Sequence, residues 1–217
     1  QNLLQTGNSP AQTLEKLQNE FLVDNNKAQL ALAIAQLQNT VTSPLDSKTI
    51  AVYVGIPFCA SKCSYCSFPS SILPSDTAKI DLFLQRIEQD IQNVLQLSDD
   101  YGLKIDYVYV GGGTPTCLPE KQFKRLTEII KPLTASSGLQ ELTLEAGRVD
   151  SLSTAKLEML KILPITRISL NPQTFNDETL VRVGRKHTME EFCRWYEYVR
   201  SHYSWQINMD LIIGLPG

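Results

Sequence analysis

The sequence predicts an α/β protein: a parallel sheet with helical crossovers, preceded by a small helical segment. From about residue 48, short runs rich in β-branched and aromatic residues alternate with amphipathic helical patterns. Each run is followed by a polar or glycine-rich stretch, the position where parallel α/β folds carry their sites. Before residue 48 the apolar spacing is helical.

The elements follow in order. Leu14, Leu17 and Phe21 form one helical stripe, and Leu30, Ile34 and Leu37 another, with Asn25-Asn26 between them. This pair is expected to pack on a neighbour, and 42–47 reads as a linker. A buried-type strand is expected over 50–56. An amphipathic helix follows over 75–97, with Ile80, Leu84, Ile87, Ile91 and Leu95 on one face. Next come a strand over 105–110 and a helix over 119–133 with proline in its first turn. A strand over 139–146, a helix over 153–162 and a strand over 165–170 continue the alternation. Helices over 177–183 and 189–202 precede a strand over 206–213. The chain stops directly after this fifth strand, so the sheet reads as truncated there. The expected domains are a helical segment with its linker, 1–47, and an α/β core, 48–217.

Composition bounds the function. At 42% hydrophobic and 20% charged the chain is an ordinary globular protein. A net charge of -3 gives no bulk reason to expect nucleic acid. No apolar run approaches the ~20 residues of a membrane helix, and no secretory leader is visible. Three of the five cysteines are clustered, which suits metal binding in a reducing cytoplasm better than a disulfide framework.

Those three, Cys59, Cys63 and Cys66, form C-x3-C-x2-C just after the first strand. A structural zinc would need a fourth ligand, from Cys117, Cys193, His187 or His202, and none of these forms a second paired cluster. An iron–sulfur cluster on three thiolates would keep one iron open to a small ligand, and the spacing favours this reading. Cys117 and Cys193 read as core or near-surface thiols.

Other stretches carry two readings each. Gly111-Gly112-Gly113-Thr114-Pro115-Thr116 either lets a ligand approach the backbone or makes a tight strand-to-helix turn, and it is no G-x-G-x-x-G fingerprint. Glu145 ends a strand, as a ligand contact or as the ion-pair partner of Arg148. Asp210, placed in the fifth strand, contacts a ligand or pairs with a basic residue. Tyr53 and Tyr65 flank the cysteine loop, as packing or as contacts, and His187 reads equally as loop packing or function.

The ordered set resembles the radical SAM superfamily. It comprises Tyr53-Val54-Gly55-Ile56-Pro57-Phe58-Cys59, the glycine-rich loop, Glu145-Ala146-Gly147-Arg148, Asn171-Pro172-Gln173-Thr174, Val183-Gly184-Arg185-Lys186-His187 and Asp210-Leu211-Ile212-Ile213-Gly214-Leu215-Pro216-Gly217. Within that superfamily it is similar to the oxygen-independent coproporphyrinogen III oxidase family, on the HemZ-like dehydrogenase branch. The resemblance implies a partial (β/α) radical SAM barrel with a [4Fe–4S] cluster on Cys59, Cys63 and Cys66. It implies S-adenosylmethionine (SAM) held by Gly112, Gly113, Thr114, Glu145, Gln173, Arg185 and Asp210, with Tyr53 and Tyr65 as further cofactor contacts. The activity implied is reductive SAM cleavage to a 5′-deoxyadenosyl radical, which abstracts hydrogen from coproporphyrinogen III propionates on the way to protoporphyrinogen IX. An electron donor such as flavodoxin or ferredoxin is implied too. Two positions depart from the family's oxidases: Gly55 stands for a histidine and Phe68 for a further cysteine. Relatives without that cysteine include haem-binding chaperones, so haem delivery on the same fold is the alternative.

Overall fold

The structure is a computed structural model that describes residues 2–41, 47–136 and 138–216. The chain divides into two compact units, Gln1–Ser47 and Lys48–Gly217.

The first unit holds α1 (Asn2–Gln5), α2 (Pro10–Asn19) and α3 (Asn25–Val41). Ser9 and Gln12 close a capping box at the start of α2, with Pro10 in its first turn. The Asp24 side chain accepts the Asn26 and Lys27 amides at the start of α3. Phe21 falls outside the expected stripe, because α2 ends at Asn19 and the ring is exposed. Leu30, Ile34 and Leu37 also lie on the exposed side of α3, whereas Ala28, Leu32 and Ala35 are buried. Both sets have helical spacing in an apolar helix, so periodicity does not choose between them, and small alanines allow close packing. The linker expected over 42–47 lies outside the described residues apart from Ser47.

The second unit runs β1 (Thr49–Ile56), β2 (Phe58–Cys59), β3 (Ser71–Ile72), α4 (Thr77–Tyr101), β4 (Lys104–Gly112), α5 (Glu120–Ile130), β5 (Glu141–Glu145), α6 (Thr154–Met159), β6 (Arg167–Ser169), α7 (Asp177–Arg182), α8 (Met189–His202) and β7 (Gln206–Asn208). Among the described residues, a five-stranded sheet has the order β1-β4-β5-β6-β7 with every pairing parallel. Ile80, Leu84, Phe123, Leu126, Leu142, Leu144 and Leu157 are fully buried on the helix-covered face. Asp76 caps α4 by accepting the Ala78 amide. Gly102 ends that helix in the left-handed conformation, φ 60°.

Several elements differ from expectation. β1 alternates rather than being buried throughout: Val54 and Ile56 face the core, while Tyr53 is 55% exposed. Tyr107 and Tyr109 of β4 are exposed on the same side, so this sheet face carries polar and aromatic groups. The helix after Pro119 becomes a 3₁₀ turn over Lys131–Thr134, where Pro132 lacks an N–H. α6 ends likewise in a 3₁₀ turn over Leu160–Ile162, just before Leu163-Pro164. β7 stops at Asn208, so Asp210 lies beyond the strand. The Asp210 amide donates to the Asn171 side chain at 3.2 Å instead of to a sheet carbonyl. Parallel pairing survives nearby as a single bridge between Gln173 and Leu211.

Candidate cofactor site

The cysteine loop leaves β1 and is closed by the two-residue parallel ladder of β2 and β3. Its rungs run from the Ser71 amide to Pro57 O at 2.8 Å and from the Leu73 amide to Cys59 O at 2.9 Å. Inside the loop, the Cys66 amide donates to Cys63 O. The segment after α7 holds the loop from outside, with the Ser64 amide on Val183 O and Ser61 Oγ on Gly184 O. Cys63 is buried, and Cys59 and Cys66 are half-buried.

The glycine-rich loop packs on the exit of β1. Gly113 N donates to Ile56 O and Thr114 N to Phe58 O, each at 2.7 Å. A Cβ at Gly112, where φ is 112°, would stand 2.9 Å from Ile56 O, and one at Gly113 would clash with Phe58 O. Thr114 Oγ1 is 3.6 Å from Cys59 Sγ. Glu145 closes this side: it accepts from Gly112 N at 3.1 Å and from Tyr109 Oη at 2.5 Å. Burial first, and then the Glu145 bond and charge, hold the Tyr109 phenol above its ordinary value. Tyr109 stacks on Tyr53 with ring centroids 5.8 Å apart. The Tyr53 phenol is also raised, by burial and then by Glu145.

On the opposite side, Arg185 donates through Nη1 to Gly147 O and Asn171 O, and through Nε and Nη2 to Tyr65 Oη. Burial pushes the Tyr65 phenol up to about 12. Gln173 is backbone-strained, φ 68°, and its side-chain Oε1 is buried without a hydrogen-bond partner. Asp210 accepts from the side-chain amides of Asn171 at 2.8 Å and Asn208 at 3.1 Å. Among the described residues it has no basic partner of the kind the sequence allowed.

Arg148 lies beneath the cysteine loop, 3% exposed. It does not pair with Glu145. Its Nε and Nη2 donate to Asp150 at 3.1 and 2.8 Å, while Nη1 donates to Ser61 O at 3.3 Å and Cys63 Sγ at 3.5 Å. Burial opposes ionisation of Asp150, but the Arg148 bonds and charge outweigh it, so this carboxyl titrates below its ordinary range. Buried Lys156 supports the glycine loop from below, donating to Thr116 O at 2.7 Å and Ser151 O at 2.9 Å.

Of the twelve residues that the resemblance assigns to cluster and SAM, all except Tyr53 line one pocket of about 210 Å³. Tyr53 stands beside it on the exposed sheet face. Cys117 is buried, its Sγ donating to Phe58 O, and burial pushes its thiol up to about 12. Cys193 is exposed on α8. His187 is buried with neither ring nitrogen bonded. Among the described residues, no three His, Cys, Asp or Glu side chains are gathered to hold a metal ion. Ligands of a single ion converge on one point, whereas a cubane cluster offers each thiolate its own iron and keeps the sulfurs further apart. Asn171 lines the pocket and Tyr109 braces Glu145 at its side, neither having been marked beforehand. The β4 alternation that puts Tyr109 on the same side as Gly111 was the available signal.

The chain matches the radical SAM superfamily over residues 53–217, and it belongs to that superfamily. It is 36% identical over 217 residues to the oxygen-independent coproporphyrinogen-III oxidase-like protein HemZ of Bacillus subtilis, covering 99% of this chain and 43% of that protein. It is 37% identical over 168 residues to the heme chaperone HemW of the same organism, covering 77% of this chain and 43% of the relative. Among solved structures it resembles coproporphyrinogen III oxidase (HemN) from Escherichia coli, a radical SAM enzyme. The TM-score is 0.66 and the identity 27%, over 77% of this chain and 38% of that one. The parallel sheet with its helices is thus a partial radical SAM fold. The chain spans less than half the length of the curated relatives it matches.

Proposed function

We propose that this chain is the cluster- and SAM-binding part of a radical SAM enzyme acting on a tetrapyrrole. The observation that carries the reading is the single pocket shared by the three thiols, the glycine cradle, Glu145 and the unpartnered Gln173 oxygen. Cys59, Cys63 and Cys66 would hold the cluster, since thiolates are the usual ligands of such groups. Gly112 and Gly113 let the loop lie directly on Ile56 O and Phe58 O, where a Cβ would clash, and so bring its backbone beside the cysteine loop. Glu145, steadied by Gly112 and Tyr109, has remaining acceptor capacity for an ammonium. Gln173 Oε1 offers an acceptor that the fold leaves unused, and Asp210 is oriented by its two asparagines to accept from hydroxyls. Arg185 spends most of its donors on Tyr65, Gly147 and Asn171, so its contribution is chiefly to position Tyr65 and these loops.

When bound, a [4Fe–4S] cluster with SAM supplies one-electron hydrogen abstraction, which at a coproporphyrinogen III propionate, with loss of carbon dioxide and of one electron to an acceptor, leaves a vinyl group. The initiating electron would come from a reduced carrier such as flavodoxin or ferredoxin. No helix among the described residues is long and apolar enough to cross a membrane. Haem delivery is the second reading, supported by the similarity to HemW and by Gly55 and Phe68.

The test is anaerobic reconstitution of the full-length protein with iron and sulfide, followed by reduction and electron paramagnetic resonance with and without SAM. A reduced [4Fe–4S] signal that changes with SAM is expected. A folded protein with no cluster, or with one indifferent to SAM, would overturn the reading. Protoporphyrinogen formed from coproporphyrinogen III, against stoichiometric haem binding without turnover, separates the two functions.

A further inference from the structure

We propose that Arg148 sets the reduction potential of the iron–sulfur group carried by Cys63, with Asp150 as its opposing charge. The inference rests on the cluster-binding reading above. The guanidinium is divided between two tasks. One edge is occupied by the Asp150 carboxylate, and the other presents Nη1 to Cys63 Sγ at 3.5 Å and to Ser61 O at 3.3 Å. Arg148 is 3% exposed, so solvent screens its charge little. Glu145, three residues earlier, is held by Gly112 and Tyr109 and makes no competing claim on it.

A hydrogen bond to a ligating sulfur, and a fixed positive charge beside it, both stabilise the more negative, reduced form of a cluster. Asp150 works against this. Removing the guanidinium deletes the donor and also leaves a carboxylate near the sulfur, which disfavours reduction. Removing the carboxylate leaves the guanidinium uncompensated, which favours it. The two substitutions should therefore move the potential in opposite directions, an outcome that loosening the loop through its Ser61 tie would not produce.

The experiment compares the full-length wild type with Arg148→Gln, Arg148→Lys and Asp150→Asn after anaerobic reconstitution. Iron and sulfide content are measured first. The midpoint is then followed by paramagnetic resonance in a redox titration without SAM. Arg148→Gln should lower the midpoint by at least tenfold in the oxidised-to-reduced ratio, about 59 mV for one electron. Arg148→Lys should recover most of that, and Asp150→Asn should raise the midpoint. A fully loaded Arg148→Gln protein with the wild-type midpoint would overturn the proposal. If Arg148→Gln fails to load, Asp150→Asn decides, and an unchanged midpoint there overturns it too. A wild type that takes up no cluster would instead sink the functional reading itself.

Discussion

Lys156 shows how single residues beneath the pocket shape it. Burial holds its ammonium below the ordinary lysine value, yet the group is kept because it satisfies two buried carbonyls, Thr116 O and Ser151 O. Lys156→Met would leave both unpaired. It should destabilise the fold by about 1–3 kcal/mol in urea unfolding. Gly113→Ala tests the loop above. Its methyl group would clash with Phe58 O and stand 3.0 Å from Cys59 Sγ, so the two loops must move apart, and iron and sulfide uptake on reconstitution should fall. At this scale the cysteines were legible because their spacing is local. The Arg148–Cys63 contact joins residues 85 apart, and proximity in sequence suggested Glu145 as the arginine's partner. Glu145 is instead directed to the Gly112 and Tyr109 side of the sheet.

Between elements, β5 and β6 are tied by Glu141 and Arg167, whose two bonds are 3.3 and 3.2 Å long. The Arg167 bond is the main reason the Glu141 carboxyl titrates below its ordinary value. A depressed carboxyl adds stability above its unfolded value, ~4.3, and that stability fades as pH falls through the folded value. Both side chains are 35% exposed, so the gain is under about 1 kcal/mol. Glu141→Gln should therefore be slightly less stable than wild type at pH 7, with the difference shrinking as the pH falls below about 4, read as urea midpoints. The helices and strands were largely legible from periodicity, and their ends were not. β7 stops where the Asn171 side chain takes the Asp210 backbone amide, an effect no apolar pattern encodes. The two-residue strands β2 and β3 are too short to leave any pattern at all.

At the scale of the molecule, the main apolar cluster, with the partly buried groups packed on it, draws among the described residues only on those from Ile50 to Ile207. We propose on this basis that 48–217 folds as a domain of its own. A chain starting at Lys48 should unfold cooperatively in urea, and a non-cooperative transition would count against the proposal. Phe123 is a fully buried member of that cluster, and Phe123→Ala should cost about 3–5 kcal/mol. The fold class was readable because alternating strands and helices admit few parallel arrangements. The exposed face of the sheet was less readable, since Tyr53, Tyr107 and Tyr109 look like core residues in a β-branched run.

The β2–β3 ladder makes the peptide from Pro57 to Leu73 a ring, fastened by two hydrogen bonds from backbone amides to carbonyls rather than by a covalent link. All three thiols belong to a loop of fixed circumference. A residue inserted between Cys59 and Ser71 cannot be absorbed at the ends and must buckle the ring, displacing the sulfurs relative to one another. A change at Ile72, whose side chain is 65% exposed, leaves the circumference as it was. The Ser71 and Leu73 amides should therefore exchange with solvent far more slowly than their surface position suggests, and an insertion inside the ring should abolish that protection before it disturbs the sheet.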